Sequence, residues 1–254
     1  MSLEPHYIAG LDLGQSQDFS ALVIVEVQQW IPGWTVTPGS PLYRVGLTTP
    51  GWVSPAALTR TQRDAVDAFW HERPSRPMLT VPHMQRWQLG TSYPRVVEDV
   101  VKVLSAHPIG DARLHLIADA TGVGAAVVDL FRQSGMPWLI AASIHAGNAT
   151  TFDSRERTAS IPKRDLIGAV SVVLEQRRLQ ISRALPEAAT LERELGTFRR
   201  RITPLGHEQM ASWRESDHDD LVLGLSLAVW AREWLWSNFD AHVADTQRLA
   251  SVRG

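Results

Sequence analysis

The sequence predicts an α/β domain, a mixed sheet flanked by helices. The chain opens on two short apolar runs, residues 7–13 and 20–27, joined by a Gly/Ser/Gln/Asp turn, which reads as two strands in hairpin order. From residue 77 onward strand and helix patterns alternate, as they do where helices cover a sheet. With 254 residues, 44% of them hydrophobic, the chain is long and apolar enough to bury a full core of this kind.

The elements follow in order. Residues 30–55 are rich in Pro, Gly and Thr, and "PLYRVGLTTP" predicts a further strand inside an irregular connection. "SPAALTRTQRDAVDAFWHER" begins with Ser54, an N-cap candidate with Pro beside it, and continues with the apolar spacing of a short helix. "PMLTVPHMQRWQL" reads as a strand, and "SYPRVVEDVVKVLSAH" carries Val96, Val97, Val100, Val101 and Leu104 at helical spacing. "ARLHLIADATGVGAAVVDLFRQSG" gives a strand ending at Asp119, a Gly-containing turn, and a helix closed by Gly135. "PWLIAASIHAG" is the next strand and "IPKRDLIGAVSVVLEQRRL" the next helix; Leu185 to Arg200 reads as another. "HDDLVLGLSLAVWAREWLW" is a long helix with an acidic first turn. No internal repeat is visible. Residues 1–236 are expected to form one domain and residues 237–254 a polar tail.

Composition removes several function classes. There is no cysteine, so disulfides, thiolate zinc sites and a cysteine nucleophile are excluded. No apolar run approaches the roughly 20 residues that span a bilayer, and the N-terminus lacks a signal-peptide pattern, so a soluble, intracellular protein is expected. The net charge of −2 gives no whole-molecule attraction to a polyanion. Basic residues do gather in "RELGTFRRR" and "EQRRL", each of which reads first as a solvated helix face. Of the ten Trp residues, Trp230, Trp234 and Trp236 fall together late in the last helix; the first two share a face, which favours core or partner contact over stacking on bases.

The candidate chemistry lies in carboxylates at element ends. Asp12 ends the first apolar strand, Asp119 ends "HLIA", and Asp219 and Asp220 open an otherwise apolar helix. In open α/β sheets ligand sites gather at the carboxyl ends of strands, so Asp12 and Asp119 converge if their strands are neighbours. Such a cluster suits hard divalent cations: Mg²⁺ takes oxygen ligands, and two ions about 3.5 to 4 Å apart can clamp the attacking and leaving oxygens of a phosphodiester. Each acid also has a plain structural reading. Asp12 and Asp18 can shape a turn, Asp119 before "ATGVG" can form an Asx turn, and Asp219 and Asp220 can cap a helix and complement its dipole. Their joint occurrence, in order, favours the metal reading.

The segments "GLDLGQSQDFSALVIV", "RWQLGTSYP", "IADATGVGAAVVD", "IPKRDLIGAVSVVLE" and "HDDLVLGLSLAVW" together resemble the C-terminal nuclease domain of bacteriophage terminase large subunits, across roughly residues 7–232. The resemblance implies a ribonuclease H-like fold, shared with Holliday-junction resolvases. It also implies a metal-dependent endonuclease cutting double-stranded DNA during viral genome packaging, with Mg²⁺ or Mn²⁺ held by Asp12, Asp119 and the Asp219/Asp220 pair. Asp220 is favoured as the third ligand because it sits one turn before Gly224, where the helix can pack closely on the sheet. A metal-activated water would attack phosphorus with little sequence preference. A terminase ATPase domain or subunit, a small terminase subunit and a portal protein are the implied partners, and a bacterial host cytoplasm, through a phage or prophage, is the implied location. The pattern departs from the family's in two ways. Nothing matches G-x-x-x-x-G-K-[ST], so the chain itself cannot power translocation, and Leu223 stands where resolvase-like relatives often carry a fourth acid, leaving Asp219 or His218 as substitutes. Lys163 in "IPKRD" is a candidate phosphate contact. Two rival readings are an actin-like phosphotransferase, whose phosphate loops "DLGQSQDFSALVIV" and "DATGVGAAVV" resemble, and a non-catalytic adaptor.

Overall fold

A computed structural model describes residues 6–14, 18–31, 36–49, 51–70, 77–106, 108–110, 112–122, 125–136, 139–202 and 219–235. The proposed tail at 237–254 lies outside these residues, as do Trp236 and His218.

The two opening runs form β1 (His6–Asp12) and β2 (Ala21–Ile31), paired antiparallel. They are followed by α1 (Pro41–Arg44), β3 (Gly51–Val53), a 3-10 turn at Pro55–Ala57, α2 (Arg60–Trp70), β4 (Met78–Arg86) and α3 (Tyr93–Leu104). The alternating half contributes β5 (Arg113–Asp119), α4 (Ala125–Gln133), β6 (Leu139–His145), β7 (Thr151–Asp153), β8 (Thr158–Pro162) and α5 (Lys163–Glu175). The chain then forms β9 (Leu179–Ile181), α6 (Ala188–Ile202), α7 (Asp220–Trp230) and a π-helical turn at Ala231–Leu235. Among the described residues the strands form one sheet in the order β7-β8-β6-β5-β1-β2-β4-β9, with β3 paired to β2 off that path. β1, β5, β6 and β8 run parallel, and β2 is antiparallel to both its neighbours β1 and β4. The expected α/β class with a mixed sheet is therefore the one observed. No helix among the described residues is long and apolar enough to cross a membrane.

The sheet is covered on both faces, which is why its central strands read as continuous apolar runs. Tyr7, Ala9 and Leu11 of β1, with Leu114, Leu116 and Ala118 of β5, pack against Val96, Val100 and Leu104 of α3 and Phe131 of α4. The alternate residues, Ile8 and Ile117, face the opposite layer, where Leu166 and Val170 of α5, Leu191 of α6 and the apolar body of α7 lie. Trp230 is buried there, its ring stacked on the partly buried Trp234 at 5.2 Å and 14°, so the first is a core residue and the second packs against the core.

Two details correct the sequence reading. The described residues of "PLYRVGLTTP", 41–49, hold no strand: Ser40 accepts a hydrogen bond from the Tyr43 N–H and Pro41 occupies the first helical position, so the segment starts as the one-turn α1. "EQRRL" is not simply a solvated basic face. Arg178 is buried, donates to the Pro77 carbonyl at 3.1 Å and pairs with Glu233 at 2.6 Å, tying the turn before β9 to the end of the last helix. Within the sheet, the buried Glu26 is tolerated because three hydroxyls serve it: Tyr7 at 3.1 Å, Thr80 at 3.3 Å and Ser54.

Candidate functional site

The register of the parallel pair places the first two acids. β1 and β5 align Leu11 with Ala118, so one residue further on Asp12 and Asp119 stand side by side at the carboxyl ends of neighbouring strands. Strand alternation decides their face. Leu11 and Ala118 point into the α3/α4 layer, so Asp12 and Asp119 point to the other face, which α7 covers.

Two glycines set α7 in place. A Cβ on Gly10 would fall 1.8 Å from the Gly224 carbonyl oxygen and 2.9 Å from the Ala228 nitrogen, so helix and strand backbones touch here. Asp220 lies four residues before Gly224, about 6 Å along the helix. Asp12 lies two residues after Gly10, about 6.6 Å along the strand. With α7 antiparallel to β1, these two offsets bring Asp220 over Asp12. The opposite end agrees: the Arg232 charge acts on His6, at the start of β1. Asp12, Asp119 and Asp220 are 9%, 8% and 4% exposed.

The electrostatics report the same convergence. Burial, and after it the carboxylates of Asp119, Asp220, Asp219 and Asp18, push the Asp12 carboxyl well above the usual carboxylate range. Asp18, exposed and lying between β1 and β2, is the last in that order. Asp119 also makes the Asx turn, its Oδ1 accepting from the Thr121 N–H at 2.8 Å. Asp219 occupies the N-cap position of α7, yet its side chain makes no capping hydrogen bond. The cap is supplied by Glu194 of α6, whose Oε2 accepts from the Val222 N–H at 3.0 Å.

Glu194 is the acid that the sequence reading missed. It is 8% exposed, and burial above all raises its carboxyl from 4.5 to about 7; Asp220 and Asp219 also raise it, while the Val222 N–H and Arg86 oppose the shift. The available signal was its place three residues after Leu191 and one before Leu195, on the apolar side of an amphipathic helix. Lys163 opens α5 and is half-buried. His218 lies outside the described residues.

The donor set, carboxylate oxygens held close enough to repel, is the kind that a hard divalent cation takes. Among the described residues no group of three His, Asp or Glu side chains is arranged as it would be around an ion. The acids share one electrostatic field at the end of the sheet without closing on a common point.

No protein-family model matches the sequence, and no curated protein does. Several solved structures are similar to the chain, three of them as follows. The large terminase nuclease of the thermophilic phage G20c is 15% identical, with a TM-score of 0.44, over 91% of this chain and 83% of that one. The human cytomegalovirus terminase nuclease domain, Mn-soaked with an inhibitor bound, is 10% identical at a TM-score of 0.44, over 90% and 84%. The same viral domain, Mn-soaked alone, is 12% identical at a TM-score of 0.42, over 90% and 84%.

Proposed function

We propose that this chain is a metal-dependent DNA endonuclease of the terminase large-subunit nuclease type, acting on double-stranded DNA during viral genome packaging. The observation that carries the reading is that Asp12, Asp119 and Asp220 lie buried on one face of the sheet end, where burial first and the neighbouring carboxylates after it drive Asp12 toward protonation. Three buried carboxylates gathered at a cost in desolvation and repulsion are stabilised by a cation. In this reading Asp12, Asp119 and Asp220 hold Mg²⁺ or Mn²⁺, and Asp219 stands beside them. When bound, the ions supply electrostatic stabilisation of the charge that develops at phosphorus. Asp12 and Asp119 are fixed by paired strands and Asp220 by the glycine contact, so the donors rest on rigid elements. The five ordered segments that resemble terminase nucleases support the choice of DNA as substrate. By the same resemblance, a terminase ATPase domain or subunit, a small terminase subunit and a portal protein are the proposed partners, and an infected bacterial cytoplasm the proposed location.

Removal of the ion tests this reading. Supercoiled and linear plasmid incubated with the protein and Mn²⁺ or Mg²⁺ are expected to be cut at many positions without ATP, and cutting is expected to stop in EDTA. Cleavage that persists in EDTA would overturn the reading, as would ATP-dependent phosphorylation of a sugar with intact DNA; inertness in both assays would favour an adaptor.

A further inference from the structure

We propose that Glu194 is a positioning residue: reaching from α6, it holds the first turn of α7 and so sets where Asp219 and Asp220 stand relative to Asp12. The inference rests on the metal reading above and extends it to a residue outside the acid set.

Three observations converge on it. The first turn of any helix leaves N–H donors that need partners, and the local candidate, Asp219, makes no side-chain cap. Glu194, 28 residues earlier in the chain, serves the Val222 N–H instead, so the cap is also a tie between two helices. Its other oxygen, Oε1, lies 4.0 Å from Arg86 at the end of β4. Arg86 in turn reaches Glu187 of the turn before α6 at 3.8 Å, and its guanidinium carbon sits 4.4 Å from the centroid of the Phe19 ring, next to Asp18. A chain of contacts therefore runs from Phe19 through Arg86 and Glu194 to the backbone two residues after Asp220, its Arg86–Glu194 step a 4.0 Å ion pair and not a hydrogen bond.

A neutral Ser or Asn at the N-cap would satisfy one such N–H without burying a charge beside two other carboxylates. What Glu194 adds is a fixed distance between the acidic turn of α7 and the edge of the sheet. It also leaves the side chain of Asp219 out of the cap. A carboxylate at a helix N-terminus is favoured by the dipole, which offsets part of the repulsion from Asp219 and Asp220.

The test is the Mn²⁺ concentration at which the melting temperature of the protein, without DNA, is half-way through its ion-induced rise. Glu194→Gln keeps an acceptor for Val222 and is expected to hold that midpoint within about threefold of wild type, whereas Glu194→Leu is expected to raise it by about tenfold or more, the range for residues that orient metal ligands. Where Glu194→Leu does not fold, Glu194→Asp carries the test: one methylene too short to reach both Val222 and Arg86, it is expected to raise the midpoint severalfold. A folded Leu or Asp variant with a lowered melting temperature but the wild-type midpoint would make Glu194 merely structural and overturn the proposal. A Gln variant as weak as Leu would overturn it differently, by making the charge itself the contribution. A wild-type protein with no Mn²⁺ response would overturn the metal reading, and this proposal with it.

Discussion

Asp12→Asn is expected to stabilise the ion-free protein while abolishing both its Mn²⁺ response and its cleavage of DNA. The two effects have one cause. Asp12 is buried beside Asp119, Asp220 and Asp219, so its ionised form is disfavoured in the folded chain and its proton is held more tightly there than in the unfolded chain. A group of this kind destabilises the fold as pH rises above its unfolded value of about 4, because the folded state then has to give up a proton that it binds more strongly. The asparagine cannot ionise and escapes that penalty. Its advantage over wild type should be absent near pH 4 and grow as pH rises through neutrality, read as a widening gap in melting temperature between variant and wild type. His6 and His115 contribute with the opposite sign: burial lowers them to about 2 and about 4, so the neutral form each holds in the fold favours folding as pH rises toward 6.5. The gap between variant and wild type, rather than either curve alone, therefore isolates Asp12. Residues that only orient metal ligands cost 10- to 100-fold, so loss of a ligand should reduce cleavage by more than about a hundredfold. A variant less stable than wild type across this range, or one that still cuts, would contradict the account.

Gly10→Ala should be among the most damaging single substitutions in the chain. The added methyl would fall 1.8 Å from the Gly224 carbonyl oxygen, which is backbone and cannot rotate away, so α7 must lift from β1. The helix that would move is almost wholly buried, from Leu221 through Ala231. Forced overpacking of a core costs about 1–3 kcal/mol when side chains can adjust, and a backbone collision should exceed the upper figure. At roughly 2–4 °C per kcal/mol, the melting temperature should drop by more than about 6 °C. Gly224→Ala is the useful contrast: its methyl would meet the Gly10 oxygen at 3.1 Å, a clash that a shift of a few tenths of an ångström relieves. Thermal unfolding of both variants checks this, with the Gly10 variant expected to be clearly the worse. Equal stability of Gly10→Ala and wild type would mean that the close approach of α7 to β1 is wrong.

Much of this arrangement was legible in the sequence because it rests on periodicity. β1, β2, β4, β5 and β6 are short apolar runs bounded by turn residues, and α3, α4 and α5 carry their apolar residues at helical spacing. The pairing of Asp12 with Asp119 required only that their strands be neighbours, and Gly224 already marked where the last helix could approach the sheet. What escaped reading is short or set by distant partners. β7, β8 and β9 have three to five residues each, too few to show alternation, and β7 is a polar edge strand. The start of α6 at Ala188, three residues past the expected Leu185, follows from turns at 183–187 that the sequence pattern does not mark. Glu194 looked like any helix acid because its partners, Val222 and Arg86, lie 28 residues after it and 108 before it, and nothing local records either contact.

Anomalous diffraction from crystals soaked in Mn²⁺ would test the central claim most directly. The account predicts manganese at the carboxyl ends of β1 and β5, within ligand distance of Asp12, Asp119 and Asp220, with Glu194 still on the Val222 N–H. Crystals with manganese elsewhere only, or with these acids unmoved and no ion among them, would contradict it.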